Sequence, residues 1–198
     1  SESQSTEANM RETAALLDME RDLEPDIHQR IKTGINHSPW WLRYARILWM
    51  GGKDRDYDFT YPVTSRPQAE MRYRDGFLYK LQKKDNEFFP IYALMTHGLI
   101  DGIYLSIGPW LDDVQWSDYV MNYLGRGTSL RELYLHPREL NEKKFEVIGR
   151  GLNWANEHNE LMLSSEMILG DPAQNELYGY RGHDDSGHVY ASLRNPKF

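Results

Sequence analysis

Three carboxylates stand at alternate positions in the segment Gly51-Gly-Lys-Asp-Arg-Asp-Tyr-Asp58: Asp54, Asp56 and Asp58. Carboxyl groups serve glycoside hydrolysis as proton donor, base and nucleophile. The retaining route needs two of them about 5–5.5 Å apart on opposite faces of the scissile bond. Acids on one short loop do not readily supply opposite faces. A solvated charged loop, in which Lys53 and Arg55 neutralise the acids locally, is the plainer reading of the same residues. His97 closes a candidate strand and could bond a sugar hydroxyl or orient a carboxylate; a histidine at a strand end is equally often structural. Glu132 and Tyr134 lie two residues apart, on one face of another candidate strand. If that face is buried, Glu132 needs a partner. Arg126 or Arg131 could supply it, and an ion pair is preferred to a catalytic role. Trp40, Trp41 and Trp49 could form a wall for sugar stacking, since indole rings offer flat apolar faces with one polar handle; at least two of them are expected in the core. His183, Asp184, Asp185 and His188 are metal-binding residue types, but their spacing fits a polar hairpin turn better and no further ligand is evident. No metal site and no cofactor are expected. Asp112-Asp113 reads as the cap and dipole partner of a helix.

Elements must position these side chains. The first eight or so residues are polar and expected to be disordered at the tip. Met10, Ala14 and Leu17 follow helical spacing and predict a helix to about Leu23, stopped by Pro25. Ile27 to Thr33 is a candidate strand. The aromatic segment from Asn36 to Trp49 should be mostly buried. Arg66 to Lys84 reads as a helix with Met71, Leu78 and Leu81 on its apolar face. A strand over Phe88 to Met95 ends at Thr96-His-Gly98, and Val114 to Leu124 is a helix. Gly125-Arg-Gly-Thr leads into a strand over Leu130 to Leu135. Pro137 then sits where the first residue of a long helix would, because its missing N–H is not needed there. Phe145, Ile148, Leu152 and Ala155 continue that helix, which ends near Leu163. This makes roughly three strand–loop–helix units, the pattern of a parallel sheet or barrel. In barrels the chemistry gathers at the carboxyl ends of the strands. The texture then changes: Leu177 to Arg181 and Val189 to Leu193 predict an antiparallel hairpin around Asp184-Asp-Ser-Gly187.

Composition bounds the function. The chain has 198 residues and a formal net charge of −7. That charge offers no electrostatic argument for nucleic acid or an anionic membrane. There is no cysteine, hence no disulfide framework or thiolate metal site. No run approaches the ~18 apolar residues of a membrane span. The start lacks a basic n-region and an apolar h-region and does not read as a signal peptide. The length is short for a complete eight-fold barrel, which takes about 250 residues. Aromatics are 13% of the chain, with 6 Trp and 13 Tyr, a supply that suits sugars and peptides and also fills cores.

Four blocks carry a resemblance: Ser38-Pro-Trp-Trp-Leu-Arg-Tyr-Ala-Arg-Ile-Leu-Trp-Met-Gly-Gly52, Leu94-Met-Thr-His-Gly98, the glycine-led strand from Gly125 to Pro137, and Tyr178-Gly-Tyr with Leu193-Arg-Asn-Pro196. In this order they resemble bacterial α-galactosidase (melibiase)-like glycoside hydrolases, some of which carry the label enterotoxin. The resemblance runs from about Pro25 to the end. It implies an α/β chain: the last strand–helix units of a partial (β/α) barrel over 25–165, after an N-terminal tail and helix at 1–24. A short antiparallel β extension at 166–198 would begin a sandwich-like domain. It implies retaining hydrolysis of α-galactosides or related glycans by a complete parent protein, secreted or periplasmic. The family's nucleophile aspartate sits on an earlier barrel strand, and nothing here corresponds to it. The proton donor follows a tryptophan; Asp54, after Trp49, is the nearest match, although the family places the acid closer, where Gly52 stands. Trp40, Trp49, Lys53, His97 and Tyr134 are the expected substrate-binding residues. The chain alone is expected to be inactive, with the missing barrel portion or a second copy as partner besides the glycan. A non-catalytic carbohydrate-binding or assembly module is the alternative.

Overall fold

The computed structural model describes residues 2–32, 38–49, 66–85, 89–96, 98–101 and 112–196. The chain divides into two compact units, Ser1–Gly51 and Gly52–Phe198.

In the first unit, helix α1 runs over Glu2–Leu23. It begins eight residues before Met10, where a disordered tip was expected. The segment contains no glycine or proline, and Arg11 pairs with Glu7 one turn away at 2.6 Å, the spacing at which opposite charges support a helix. Ala14 and Leu17 are its buried residues. Gln29 donates to the Leu17 carbonyl at 2.7 Å and so holds the returning chain against the helix. Strands β1 (Arg30–Lys32) and β2 (Ile47–Trp49) pair in parallel, with Arg30 opposite Ile47 and Lys32 opposite Trp49. β1 is shorter than the expected strand. Between β1 and β2, Pro39–Arg43 forms a 3-10 turn whose start is capped by Ser38. Proline at the first helical position and a serine cap explain why the chain turns there.

The second unit opens its described part with α2 (Arg66–Tyr79), continued by a π turn at Lys80–Lys84. The expected strand over Phe88 to Met95 is mostly something else. Pro90 leads a 3-10 turn at Ile91–Ala93, and only Leu94–Met95 is extended, as β3. Strand β4 (Leu99–Asp101), not foreseen, follows at once and pairs in parallel with β5 (Leu133–Leu135). Gly98 makes the approach possible: a Cβ there would stand 1.6 Å from the Glu132 carbonyl oxygen. Helix α3 (Asp113–Leu124) lies between β4 and β5 in the chain. Its Trp116, Tyr119, Val120, Tyr123 and Leu124 recur at the helical period and are all buried. Asp112 caps it in a reciprocal box with Gln115, bearing out that reading.

Pro137 opens a 3-10 turn (Pro137–Glu139) rather than the long helix. Helix α4 (Glu142–Glu157) starts after Asn141, whose side chain accepts from the Lys144 N–H at 2.9 Å. A side-chain cap outweighs a proline as a start signal here. Phe145, placed on the apolar face by spacing, is exposed. Lys144 turns inward instead, with its Nζ 5.1 Å from the centre of the Trp116 ring, a cation–π contact. A break at His158 separates α5 (Asn159–Leu163).

Strand β6 (Glu166–Leu169), also not foreseen, joins β7 (Tyr178–His183) and β8 (Val189–Arg194) in an antiparallel sheet ordered β6-β7-β8. The expected hairpin is β7–β8. The architecture is mixed α/β, helices with small sheets, and the described residues form no closed barrel. No described helix is long and apolar enough to cross a membrane.

Candidate functional site

Asp54, Lys53 and His97, with Asp56 and Asp58, lie outside the described residues. Trp40 and Trp49 belong to the first unit and Tyr134 to the second.

In the first unit the 3-10 turn presents its aromatic rings in sequence. Trp41 is buried, while Trp40 is 42% exposed. Their ring centres lie 4.8 Å apart at 70°. Tyr44 lies 4.8 Å from Trp40. These separations are within the range in which aromatic pairs attract. Trp49 is the last residue of β2 and is half-buried. Of the three tryptophans only Trp41 is fully enclosed, so fewer serve as core than the sequence suggested. A 3-10 turn of three residues per revolution cannot bury adjacent rings on the same side.

In the second unit Tyr134 is half-buried, and its hydroxyl donates to Glu132 Oε1 at 3.0 Å. The Glu132 N–H donates to the Tyr123 hydroxyl at 2.8 Å. Burial pushes the Tyr123 phenol up to about 12, so it remains a neutral donor and acceptor. Neither arginine considered for Glu132 takes the expected role. Arg131 bonds the Ala155 carbonyl at 3.0 Å and the side chains of Asn156 and Asn159. Arg126 turns the other way and pairs with Asp75.

That pair is the centre of a buried polar cluster. Asp75 is completely buried on α2. Its Oδ1 accepts from Arg126 Nε at 2.7 Å and from the Tyr180 hydroxyl at 2.6 Å. Its Oδ2 accepts from the Tyr178 hydroxyl and from Asn122 Nδ2 at 3.3 Å. Arg194 on β8 donates to the Tyr178 hydroxyl at 2.8 Å and to Gln68 on α2. Burial alone would push the Asp75 carboxyl up. Arg126, the two tyrosine hydroxyls and Arg194 outweigh it and hold the group below the usual carboxylate range. Burial, aided by the Asp75 charge, drives both tyrosines up. Asp75 is therefore a fixed anion with both oxygens occupied. It ties α2 and α3 to the antiparallel sheet and has no capacity left to take a proton from a substrate.

The sequence reading passed over Asp75, although a signal was there. It stands four residues after Met71 and three before Leu78, on the face that those residues predicted to be buried. Tyr178 and Tyr180 alternate on one strand face, opposite that helix. An acid on an apolar face, matched by donors at period two elsewhere, marks a buried network.

The hairpin turn behaves as a turn. Asp184 accepts from the Ser186 and His188 N–H groups, each at 2.9 Å, and lies 2.8 Å from His188 Nδ1. Gly187 takes the left-handed conformation that closes it, φ +85°. Asp184 and His188 also border an open cleft of about 710 Å³ beside residues 156–161. No three His, Asp or Glu side chains among the described residues are placed to hold a metal ion.

No family model, curated protein or solved structure matches this chain.

Proposed function

We propose that the chain is the C-terminal part of a glycosidase-type (β/α) barrel followed by the start of a sandwich-like β domain. In a complete parent protein it would serve the retaining hydrolysis of α-galactosides or related glycans. The supporting observation is the order β4–α3–β5–α4 with β4 and β5 paired in parallel, the repeating unit of such barrels. The β6–β7–β8 sheet then follows where a β domain would begin. Trp49 ends β2, and Asp54 follows it by five residues in the sequence; barrels keep their chemistry at the carboxyl ends of their strands. Asp54 is the proton donor in this reading, with Trp40, Trp49, Lys53, His97 and Tyr134 contacting the glycan. The nucleophile belongs to a strand with no counterpart here. Retaining chemistry proceeds through a covalent glycosyl intermediate and needs that carboxylate, so the chain by itself turns nothing over.

The test is the release of aryl groups from aryl α-galactosides by the purified chain. No release above a buffer blank is expected. Release that survives repurification and disappears on heat denaturation would overturn the reading of an incomplete site.

A non-catalytic carbohydrate-binding or assembly module is the second reading. The exposed Trp40 ring, backed by Trp41 and Tyr44, favours it, because such a platform can stack a sugar without any catalytic acid. In the same assay, galactoside-dependent tryptophan fluorescence without turnover, lost in Trp40→Ala, would be its signature.

A further inference from the structure

We infer that the peptide bond between Asp171 and Pro172 is a site of self-cleavage, broken by the side-chain carboxylate of Asp171, a conclusion independent of the glycosidase reading. An aspartate before a proline carries its own nucleophile. The carboxylate closes a five-membered ring on reaching its own carbonyl carbon. The proline nitrogen belongs to a tertiary amide and, once protonated, leaves more readily than an ordinary peptide nitrogen. The fold adds an arrangement around this bond. Asp171 is 7% exposed and starts the 3-10 turn Pro172–Gln174, in which Pro172 is buried as well. Its Oδ1 accepts from the Ala173 N–H at 2.8 Å. That contact closes a ring around the Asp171–Pro172 peptide and holds the carboxylate beside it, and a reacting group fixed near its target no longer has to find it. Lys84, the last residue of the π turn after α2, supplies a counter-charge 2.7 Å from Oδ2.

The carbonyl of the same bond is polarised twice. The Asp171 oxygen accepts from the Gln174 N–H at 3.0 Å, as the 3-10 turn requires, and also from the Glu176 N–H at 3.3 Å. The second donor lies outside the turn. It arrives because Asn175 takes the left-handed conformation, φ +60°, and folds the chain back. Glu176 Oε2 then accepts from the Asp171 N–H at 2.7 Å and clamps the loop. Gly170 leaves room for that clamp, since a Cβ there would stand 2.5 Å from Glu176 Cβ. Two N–H groups on one shielded carbonyl oxygen stabilise the negative charge that a tetrahedral intermediate places there. Leu169, two residues earlier, has φ +68°, a strained conformation for leucine, and a cut in this loop would let it relax.

The step balances with water as the only co-reactant. A carboxylate oxygen of Asp171 bonds its own carbonyl carbon, and the electron pair of that C=O moves onto the oxygen held by the Gln174 and Glu176 N–H groups. The intermediate collapses, the C–N bond to Pro172 breaks, and the proline nitrogen takes a proton from solvent. The cyclic anhydride left on Asp171 is opened by water to two carboxyl groups. The break falls between β6 and β7, which remain paired from Glu166–Arg181 to Leu169–Tyr178. The pieces 1–171 and 172–198 therefore stay together until they are denatured.

Intact mass of the full chain, incubated folded in mildly acidic buffer and denatured only for the measurement, tests this. The two pieces should accumulate about tenfold faster, or more, than in urea at the same pH, because unfolding removes both donors from the carbonyl oxygen. Hydroxylamine in the buffer should convert the new Asp171 end to its hydroxamate, the mark of an anhydride. Pro172→Ala keeps the carboxylate but restores an ordinary leaving nitrogen, and it should slow cleavage by about tenfold or more. The comparison with urea uses wild type and does not depend on the variant folding. A chain that stays intact, cleavage as fast in urea as in the fold, an Asp171 end that hydroxylamine leaves unmodified, or a Pro172→Ala chain cleaved as fast as wild type would overturn the inference.

Discussion

Asp75 and Asp184 are both carboxylates that gather several donors, one enclosed among α2, α3 and β7, the other on the solvent-facing turn between β7 and β8. Both are held below the usual carboxylate range. At Asp184 the hydrogen bond from His188 is the leading cause; at Asp75 burial works against ionisation and is outweighed by Arg126 and the tyrosine hydroxyls. The same direction of shift has different consequences. Around Asp75 water cannot replace a lost partner, so every donor is needed. Around Asp184 water and salt screen the interaction and can substitute for it. Donor count and pKa direction alone do not distinguish an anchor from a surface turn; burial does.

The sharpest way to break this comparison is Asp75→Asn. It leaves the Arg126 guanidinium buried without its counter-charge, and the expected loss is about 3–5 kcal/mol of unfolding free energy, read from the urea midpoint. The pH dependence should change too. A carboxyl whose folded pKa lies below its unfolded value stabilises fully above the unfolded pKa, and that contribution is lost as pH falls through the folded one. Wild type should therefore lose stability on the acid side below the ordinary aspartate range, and Asp75→Asn should show a shallower acid limb. A substitution that leaves both midpoint and acid limb unchanged would make Asp75 no more than Asp184.

A smaller effect is expected from Tyr178→Phe. The ring stays buried, but Asp75 Oδ2 keeps only Asn122 and Arg194 loses an acceptor. Hydrogen bonds to a charged group are worth about 1.5–3 kcal/mol, and urea unfolding should show a loss of that order. Combined with Asp75→Asn the two losses should be less than additive, because both remove one contact; strict additivity would separate Tyr178 from the network. The smallest effect belongs to Asp184→Asn. Its urea midpoint should match wild type, and a clear loss would show that the turn is a structural anchor as well.

Particular residues show how far the sequence alone could be read. The α3 cap at Asp112, the helix over residues 113–124 and the β7–β8 hairpin were legible, because cap chemistry, period and turn residues are local. β4 and β6 were not. Each is at most four residues long, too short for periodicity to register, and each exists because a partner strand satisfies its backbone. Phe145 is exposed where spacing put it on the apolar face, and Lys144 is buried there instead, against the Trp116 ring on another helix. Asp75 lay on a face already marked as apolar; its role depends on tyrosines more than a hundred positions away, which no local pattern announces. Of the expected site, Trp40, Trp49 and Tyr134 have a described setting, and the Asp54 loop falls outside it.

Asp75 is an anchor, and the proton donor proposed above is Asp54 of that loop. The direct measurement is Asp54→Ala in the parent protein that the proposal requires, assayed on an activated aryl α-galactoside and on a galactoside with a poor leaving group. Only the poor leaving group needs protonation. The account expects turnover of that substrate to collapse while the activated one retains most of its rate. Equal modest losses on both, or none, would contradict it and return Asp54 to a solvated charged loop.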